Sequence, residues 1–145
     1  MPAELKLMTA DEFLEHAPKD KRSELVRGEM IVVDPASFEH GDLAGNIFGM
    51  IRNHVRDHRL GKVFAAETGF VLSHDPDTVR APDAAFVATA RLEAQTRRRG
   101  FFDGAPDLAV EVASPGVIFY SAFNRIIPDA GCISTCVIGA PLTSR

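Results

Sequence analysis

Apolar positions along the chain recur with two different periods, which predicts both helices and strands. Between Phe38 and His58 they recur about every 3.6 residues on one side, so this stretch is predicted to form the longest helix. A shorter helix is predicted from Thr9 to His16, because Thr9 and Glu12 have the spacing of a capping box. Glycines four residues apart in the long helix are predicted to permit close packing: Gly41, Gly45 and Gly49.

Short apolar runs separated by turn residues predict several strands. The segment from Ser23 to Val33 contains two such runs with a turn at residues 27–29 between them. Four later runs are also predicted to be strands: residues 62–66, 69–72, 84–88 and 107–113. Residues 92–104 are polar and rich in arginine, and they are predicted to be a helix end followed by a loop.

The character of the chain changes at Gly116. Residues 1–116 contain 33 Asp, Glu, Lys and Arg residues, whereas residues 117–145 contain three. The second segment has no clear helical or alternating period, and it contains both cysteines. We therefore divide the chain into a domain at residues 1–116 and a divergent tail at residues 117–145, for which no structure is predicted.

Length and composition fit one globular domain. The chain has 145 residues, of which 46% are hydrophobic and 25% charged, and this excludes a fibrous repeat. It has no apolar stretch of membrane-helix length and no signal-peptide core, so a cytoplasmic protein with free thiols is expected. Because the net charge is −4, any contact with nucleic acid must come from a local basic patch.

Two acidic residues lie where a carboxylate costs free energy. Asp83 directly precedes the apolar run at residues 84–88, and Glu111 lies inside the run at residues 107–113. Brought together they would repel, and a Mg²⁺ ion would relieve that repulsion and activate a water beside a scissile phosphate. Two alternatives stay open: Asp83 caps a turn, or Glu111 pairs with an arginine of residues 97–99.

The spacing of these acids is that of a PD-(D/E)XK nuclease site, with a Pro-Asp pair 28 residues before an acid in a predicted strand. The chain also resembles the bacterial "Uma-two" family of restriction endonucleases, a branch of that superfamily. Three blocks carry the resemblance, in the order SELVRGEMIVVDPASFEHGDLAGNIFGMIRNHV, GKVFAAETGFVLSHDPDTVRAPDAAFV and GAPDLAVEVASP. The resemblance covers residues from about Thr9 to Pro115, roughly three quarters of the chain.

The resemblance implies an α/β (α+β) fold with a restriction-endonuclease-like core, in which helices flank a mixed central β-sheet. It implies a DNA endonuclease in which Asp83 and Glu111 bind Mg²⁺ or Mn²⁺ and a water attacks the phosphodiester bond in line. Glu29 is the next candidate for a catalytic acid, unless it is a solvated turn residue, and Glu24 is the fourth. Members of such families commonly form pairs in which each protomer cuts one DNA strand, and a homodimer is therefore expected. No membrane partner is expected.

One histidine and one run of arginines are candidates for contact with DNA. His40 matches a family position and could contact a phosphate, although at the start of a helix it could also satisfy only local hydrogen bonds. Arg97, Arg98 and Arg99 form a basic run that could bind a phosphate backbone or lie in a solvated loop.

The chain departs from the family pattern after Pro115. A strict D/E-X-K motif would have lysine at position 113, where this chain has Ala113, and Lys62 is the last lysine. The family usually supplies the lysine from a following helix and then adds an aromatic-rich strand, and the tail has neither pattern. Arg125 could supply charge but cannot act as a base. We hypothesise a frameshifted or recombined gene end.

The missing lysine leaves a second function open. The chain could be a non-catalytic remnant of the family, or a module of the same fold that binds DNA or metal without cutting. The domain at residues 1–116 would then be incomplete. Without the last helix and strand of the family, its sheet would expose apolar surface and an open edge.

Overall fold

The computed structural model of the protein describes residues 6–97, 99–113 and 134–139, which contain three helices and nine strands. The helices are α1 (Ala10–His16), α2 (Phe38–Asp57) and α3 (Thr89–Ala94). The strands are β1 (Ser23–Val26), β2 (Glu29–Val32), β3 (Gly61–Ala65), β4 (Phe70–Ser73), β5 (Thr78–Arg80), β6 (Ala84–Ala88), β7 (Phe102–Asp103), β8 (Leu108–Ala113) and β9 (Ser134–Gly139). Every predicted helix and strand forms, while β5, β7 and β9 are additional.

Local signals set the ends of the predicted elements. At the start of α1 the hydroxyl of Thr9 accepts the backbone N–H of Glu12, and the Glu12 carboxylate accepts the backbone N–H of Thr9, which completes the capping box. Strands β1 and β2 are joined by Arg27 and Gly28, both with positive φ, as the tight hairpin turn with right-handed strand twist requires. The predicted turn after Val26 is therefore confirmed.

The strands form two hydrogen-bonded sheets. The first has the order β2-β1-β5-β4-β7, antiparallel except between β4 and β7. The second has the order β3-β6-β8-β9, antiparallel except between β8 and β9. The predicted α/β class with mixed strand directions is confirmed, and the strands are divided between two sheets.

Each sheet has its own helix. Helix α1 places Phe13 on the first sheet against the buried Leu25 and Val79. Helix α2 places Ile47 on the second sheet against Val110. A third cluster, built from Phe70 of the first sheet with Ala85 and Val87 of the second, joins the two sheets. Strand β6, which directly follows Asp83, therefore packs against α2 through Ala84 and against the first sheet through Ala85 and Val87.

The tail contributes one strand to the second sheet. Strand β9 pairs with β8 along its whole length, from Leu108 opposite Ser134 to Ala113 opposite Gly139. The expectation of an open sheet edge is wrong for β8, because a segment of the tail covers that edge. The other residues of the tail lie outside the described residues.

The glycine row of α2, in which Gly41 and Gly45 are exposed and Gly49 is half-buried, does not serve close packing within the described part of the chain. A Cβ atom added at Gly41, Gly45 or Gly49 would have no described atom within 4 Å. We expect Gly45→Ala and Gly49→Ala each to raise the free energy of unfolding by about 0.5–1 kcal/mol, because alanine loses less conformational entropy in a helix. Urea denaturation measures this gain. A loss of stability in both variants would mean that the row packs against another surface.

Candidate active site

The candidate site lies where the chain crosses from the first sheet to the second. Strand β5 ends at Arg80 and β6 begins at Ala84, so Asp83 is the last residue of the crossing. In the neighbouring antiparallel strands Ala84 lies opposite Val110. One further step of this register places Asp83 opposite Glu111, and such residues share a face with Cβ atoms about 4.5–5.5 Å apart. The fold thus brings the two predicted acids together.

The Asp83 carboxylate is buried and is held by groups distant in sequence. Its Oδ2 accepts the backbone N–H of Val112 at 2.7 Å, and its Oδ1 lies 3.1 Å from Nε2 of His40. The side chain is therefore anchored to β8 and to the first turn of α2. If Asp83 only capped a local turn, its partners would be close in sequence, whereas Val112 and His40 are both distant.

His40 belongs to the site through its side chain. Its backbone N–H donates to Oγ of Ser37, which is the local bond expected at a helix start. Its imidazole, in contrast, reaches Asp83 and is largely buried. Nδ1 of His40 is buried and has no hydrogen-bond partner among the described residues. Local hydrogen bonding at the helix start therefore explains the backbone contact of His40, but it does not explain the contact of its side chain with Asp83.

Glu111 is the acid with the most perturbed titration. The pKa of its carboxyl is raised to about 8, mainly by burial and then by the negative charges of Asp83 and Glu24, while the charges of Arg80 and Arg22 oppose the rise. No described residue donates a hydrogen bond to this carboxyl. Without a bound cation, Glu111 therefore holds a proton at neutral pH.

A clamp around Ala81 supports the site, and it was mostly missed in the sequence. Oε1 of the buried Glu24 accepts the backbone N–H of Ala81 at 2.9 Å, and Arg22 donates to the carbonyl of Ala81 at 2.8 Å. Nε of Arg80 lies 3.1 Å from Oε2 of Glu24. These contacts fix the backbone just before Asp83. Only the family resemblance pointed to Glu24, and no sequence signal distinguished Arg22 or Arg80.

The candidate acid Glu29 lies at the margin of this arrangement. It is exposed on β2 and lies opposite Val26, whereas Glu24 lies opposite Ile31. Glu29 and Glu24 therefore share a face of the hairpin as diagonal neighbours. Glu29 is not among the charged groups that perturb Glu111. Its catalytic role stays a prediction, and Glu24 is the buried acid of this hairpin.

The predicted basic run is engaged elsewhere. Nη1 of Arg97 lies 2.7 Å from Oδ1 of Asp11, so Arg97 pairs with α1 rather than with Glu111. Arg99 is exposed and lines a surface cavity beside Phe101, and neither predicted metal ligand lines it. Arg98 lies outside the described residues. The arginines that act on Glu111 are instead Arg22 and Arg80.

The adjacent carboxylates fit a hard divalent cation. The described residues contain no group of three or more His, Cys, Asp or Glu side chains arranged to hold a metal. Mg²⁺ does not need three, since it commonly binds one or two carboxylates and keeps several waters. Asp83 and Glu111 meet that requirement, and a cation between them would offset the repulsion that raises the pKa of Glu111.

A mixed α/β fold in which one acid directly precedes a strand and a second acid lies in the neighbouring strand is an arrangement that a nuclease can use. The family model Uma2, described as "putative restriction endonuclease", matches residues 10–120, and the chain belongs to this family. The chain is also similar to a solved structure described as a putative nuclease from Anabaena variabilis ATCC 29413, with a TM-score of 0.69 and 20% identity over 91% of this chain and 74% of that chain. At this identity the likeness concerns the fold.

A comparison with curated proteins gives no match. Among the described residues, no helix has the length and apolar character required to cross a membrane.

Proposed function

We propose that the protein is a metal-dependent endonuclease of the PD-(D/E)XK type that hydrolyses phosphodiester bonds in DNA. One observation carries the proposal: Asp83 accepts the Val112 N–H at 2.7 Å and lies close enough to Glu111 for its charge to raise the pKa of the Glu111 carboxyl. Two such acids repel when both are ionised, and either a proton or a shared cation relieves that repulsion. The family description supports the nuclease class, and the metal and the DNA substrate are part of the proposal.

The residues of the site have separate roles in this reaction. Asp83 and Glu111 would hold Mg²⁺ or Mn²⁺, which supplies an activated water and neutralises phosphate charge when bound. In hydrolysis, the water oxygen bonds to phosphorus as the bond from phosphorus to the leaving oxygen breaks. The proton lost by the water passes to solvent, and the leaving oxygen takes up a proton. His40 and the Val112 N–H keep Asp83 in one orientation.

Positive charge at the site comes from arginine rather than lysine. Arg80 and Arg22 both act on Glu111, and with Glu24 and Asp83 the cluster has three carboxylates and two guanidinium groups. Leaving His40 aside, the cluster is neutral while Glu111 holds its proton. A divalent cation that displaces this proton would bring the net charge to +1, which suits a phosphodiester monoanion. A guanidinium can stabilise the charge of the transition state but cannot act as a base.

A second candidate function is a non-catalytic module of the same fold. Glu111 and Ala113 are two positions apart in β8 and so share a face, and Ala113 stands where the motif would place lysine. If arginine cannot replace that lysine, the protein binds metal and DNA without cutting. Binding with no cleavage is the result that would favour this function.

A homodimer, with each protomer cutting one strand, is part of the proposal. Among the described strands, β2 is paired on one side only, and its Met30, Ile31 and Val32 are 41–50% exposed. An apolar edge strand of this kind is a surface for self-association. Sedimentation analysis should give twice the mass of the 15.8 kDa chain. A mass of one chain at micromolar concentration would contradict the dimer.

A thermal melt with and without Mn²⁺ tests whether the site binds metal. A ligand that binds only the folded state stabilises it by about 2.7 kcal/mol at a hundredfold excess over Kd. For a domain of this size the midpoint should rise by about 5–10 °C. A cooperative transition that does not move with Mn²⁺ or Mg²⁺ would contradict metal binding at the acids.

A further inference from the structure

A second cluster of basic residues lies at the far end of α2, and its Lys62 also lines the neighbouring cavity of Arg97 and Arg99. Arg52, Arg56, Arg59 and Lys62 line one surface cavity of about 390 Å³, and all four are exposed. The lining contains no acidic residue, and Val55 and Phe64 are among its apolar members. In a protein of net charge −4, this is a local concentration of positive charge.

Most of these cations are not used in ion pairs within the described part of the chain. Arg56 contacts the neighbouring Asp57 at 3.1 Å, in an exposed pair of small energetic value. No described carboxylate lies within 4 Å of Arg52, Arg59 or Lys62. Their charge is therefore available to a partner, unlike that of Arg97.

Stabilisation of the helix explains only part of the cluster. A cation in the last turn interacts favourably with the negative end of the helix dipole, and this accounts for Arg56. Arg59 and Lys62 lie beyond the end of α2, in the connection to β3 and in β3 itself. The helix dipole therefore does not account for the positive charge at Arg59 and Lys62.

We infer that Arg52, Arg56, Arg59 and Lys62 form a non-catalytic surface that binds the phosphate backbone of duplex DNA. This rests on the proposed function, because DNA is the polyanion that a nuclease of this family would engage. Helix α2 links the two sites, with His40 at the acids and Arg56 at the basic cluster. Sixteen residues of helix span about 24 Å, or about seven base-pair steps.

Duplex binding in EDTA tests the surface without requiring cleavage. We expect the triple variant R52Q/R59Q/K62Q to bind a 20-base-pair duplex at least about tenfold more weakly than the unmodified protein at low salt. The slope of log K against log salt should fall in magnitude by about two to three, at 0.9 per lost phosphate contact. The double variant K19Q/K21Q is the control, because it removes exposed lysines elsewhere and should bind normally.

Cleavage of two substrates separates this inference from the proposed function. The triple variant should cut plasmid DNA with a reduced kcat/KM but cut bis(p-nitrophenyl) phosphate normally, because the small diester reaches only the acids. Equal weakening of duplex binding in the triple variant and the control would overturn the inference, as would no weakening in either. Tighter binding of an RNA duplex through the same residues would overturn the assignment to DNA. If the unmodified protein cuts neither substrate but the triple variant binds the duplex more weakly as expected, the proposed catalytic function would be overturned and the DNA-binding surface would be supported.

Discussion

Asp83→Asn should abolish both the stabilisation by Mn²⁺ and any cleavage of DNA. The amide oxygen can still accept the Val112 N–H, so the fold should persist, but one of the two charged ligands is lost. Metal binding and water activation depend on that charge, and we expect activity to fall by at least about a hundredfold. Melting curves with Mn²⁺ and a plasmid-nicking assay measure the two effects.

Asp107→Asn is the matched control for this variant. Asp107 also accepts a backbone N–H from a neighbouring strand, that of Ala88 at 2.8 Å, but its other partner is Arg91 rather than the acid pair. Asp107→Asn should lower the stability of the protein and leave the shift of the melting temperature with Mn²⁺ unchanged. A full shift of the melting temperature with Mn²⁺ in Asp83→Asn would contradict its role as a metal ligand. Loss of the shift in Asp107→Asn would mean that the effect of Asp83→Asn is not specific to the acid pair.

Glu111→Gln should make the metal-free protein more stable at alkaline pH. The pKa of Glu111 in the folded protein, about 8, is above its ordinary value of 4.5. The stability that its proton contributes is therefore complete below about pH 4.5 and is lost as the pH rises through 8. Glutamine mimics the protonated acid at every pH. At pH 9 in EDTA we expect the variant to unfold with a free energy on the order of 2 kcal/mol higher.

The comparison with unmodified protein across pH isolates this one group. Urea denaturation at pH 6, 7, 8 and 9 should give a difference in the free energy of unfolding between the two proteins that widens with pH. Glu93→Gln, at an exposed position of α3, is the control. Its free energy of unfolding should differ from that of the unmodified protein by the same amount at each pH. A constant difference for Glu111→Gln would mean that Glu111 titrates normally, and the acids would then not form a repelling pair.

Elements specified by neighbouring residues could be predicted from the sequence. The long apolar stripe predicted α2 and the capping box predicted α1, because both patterns act within a few residues. Strands β5 and β7 have three and two residues, too few for a recognisable alternation, and they form because distant strands offer partners. Strand β9 lies in a segment without a clear period and pairs with β8.

The same limit applies to the site. Asp83 and Glu111 were found because a carboxylate at a buried strand is costly wherever it occurs, and the motif spacing joined them. The clamp on Ala81 brings in Glu24 from 57 residues away, a contact that only the folded chain reveals. The basic run at residues 97–99 was prominent in sequence, yet the ion pair between Arg97 and Asp11 is set by packing of distant segments.

Metal-dependent cleavage of DNA by the acid pair is tested most directly by incubating supercoiled plasmid with the purified protein in Mn²⁺ or Mg²⁺, beside EDTA and Asp83→Asn reactions. We expect nicked and linear products from the unmodified protein with metal, and none in the two other reactions. Intact plasmid with the metal, from a protein that Mn²⁺ stabilises, would contradict catalysis and identify a module that binds metal without cutting.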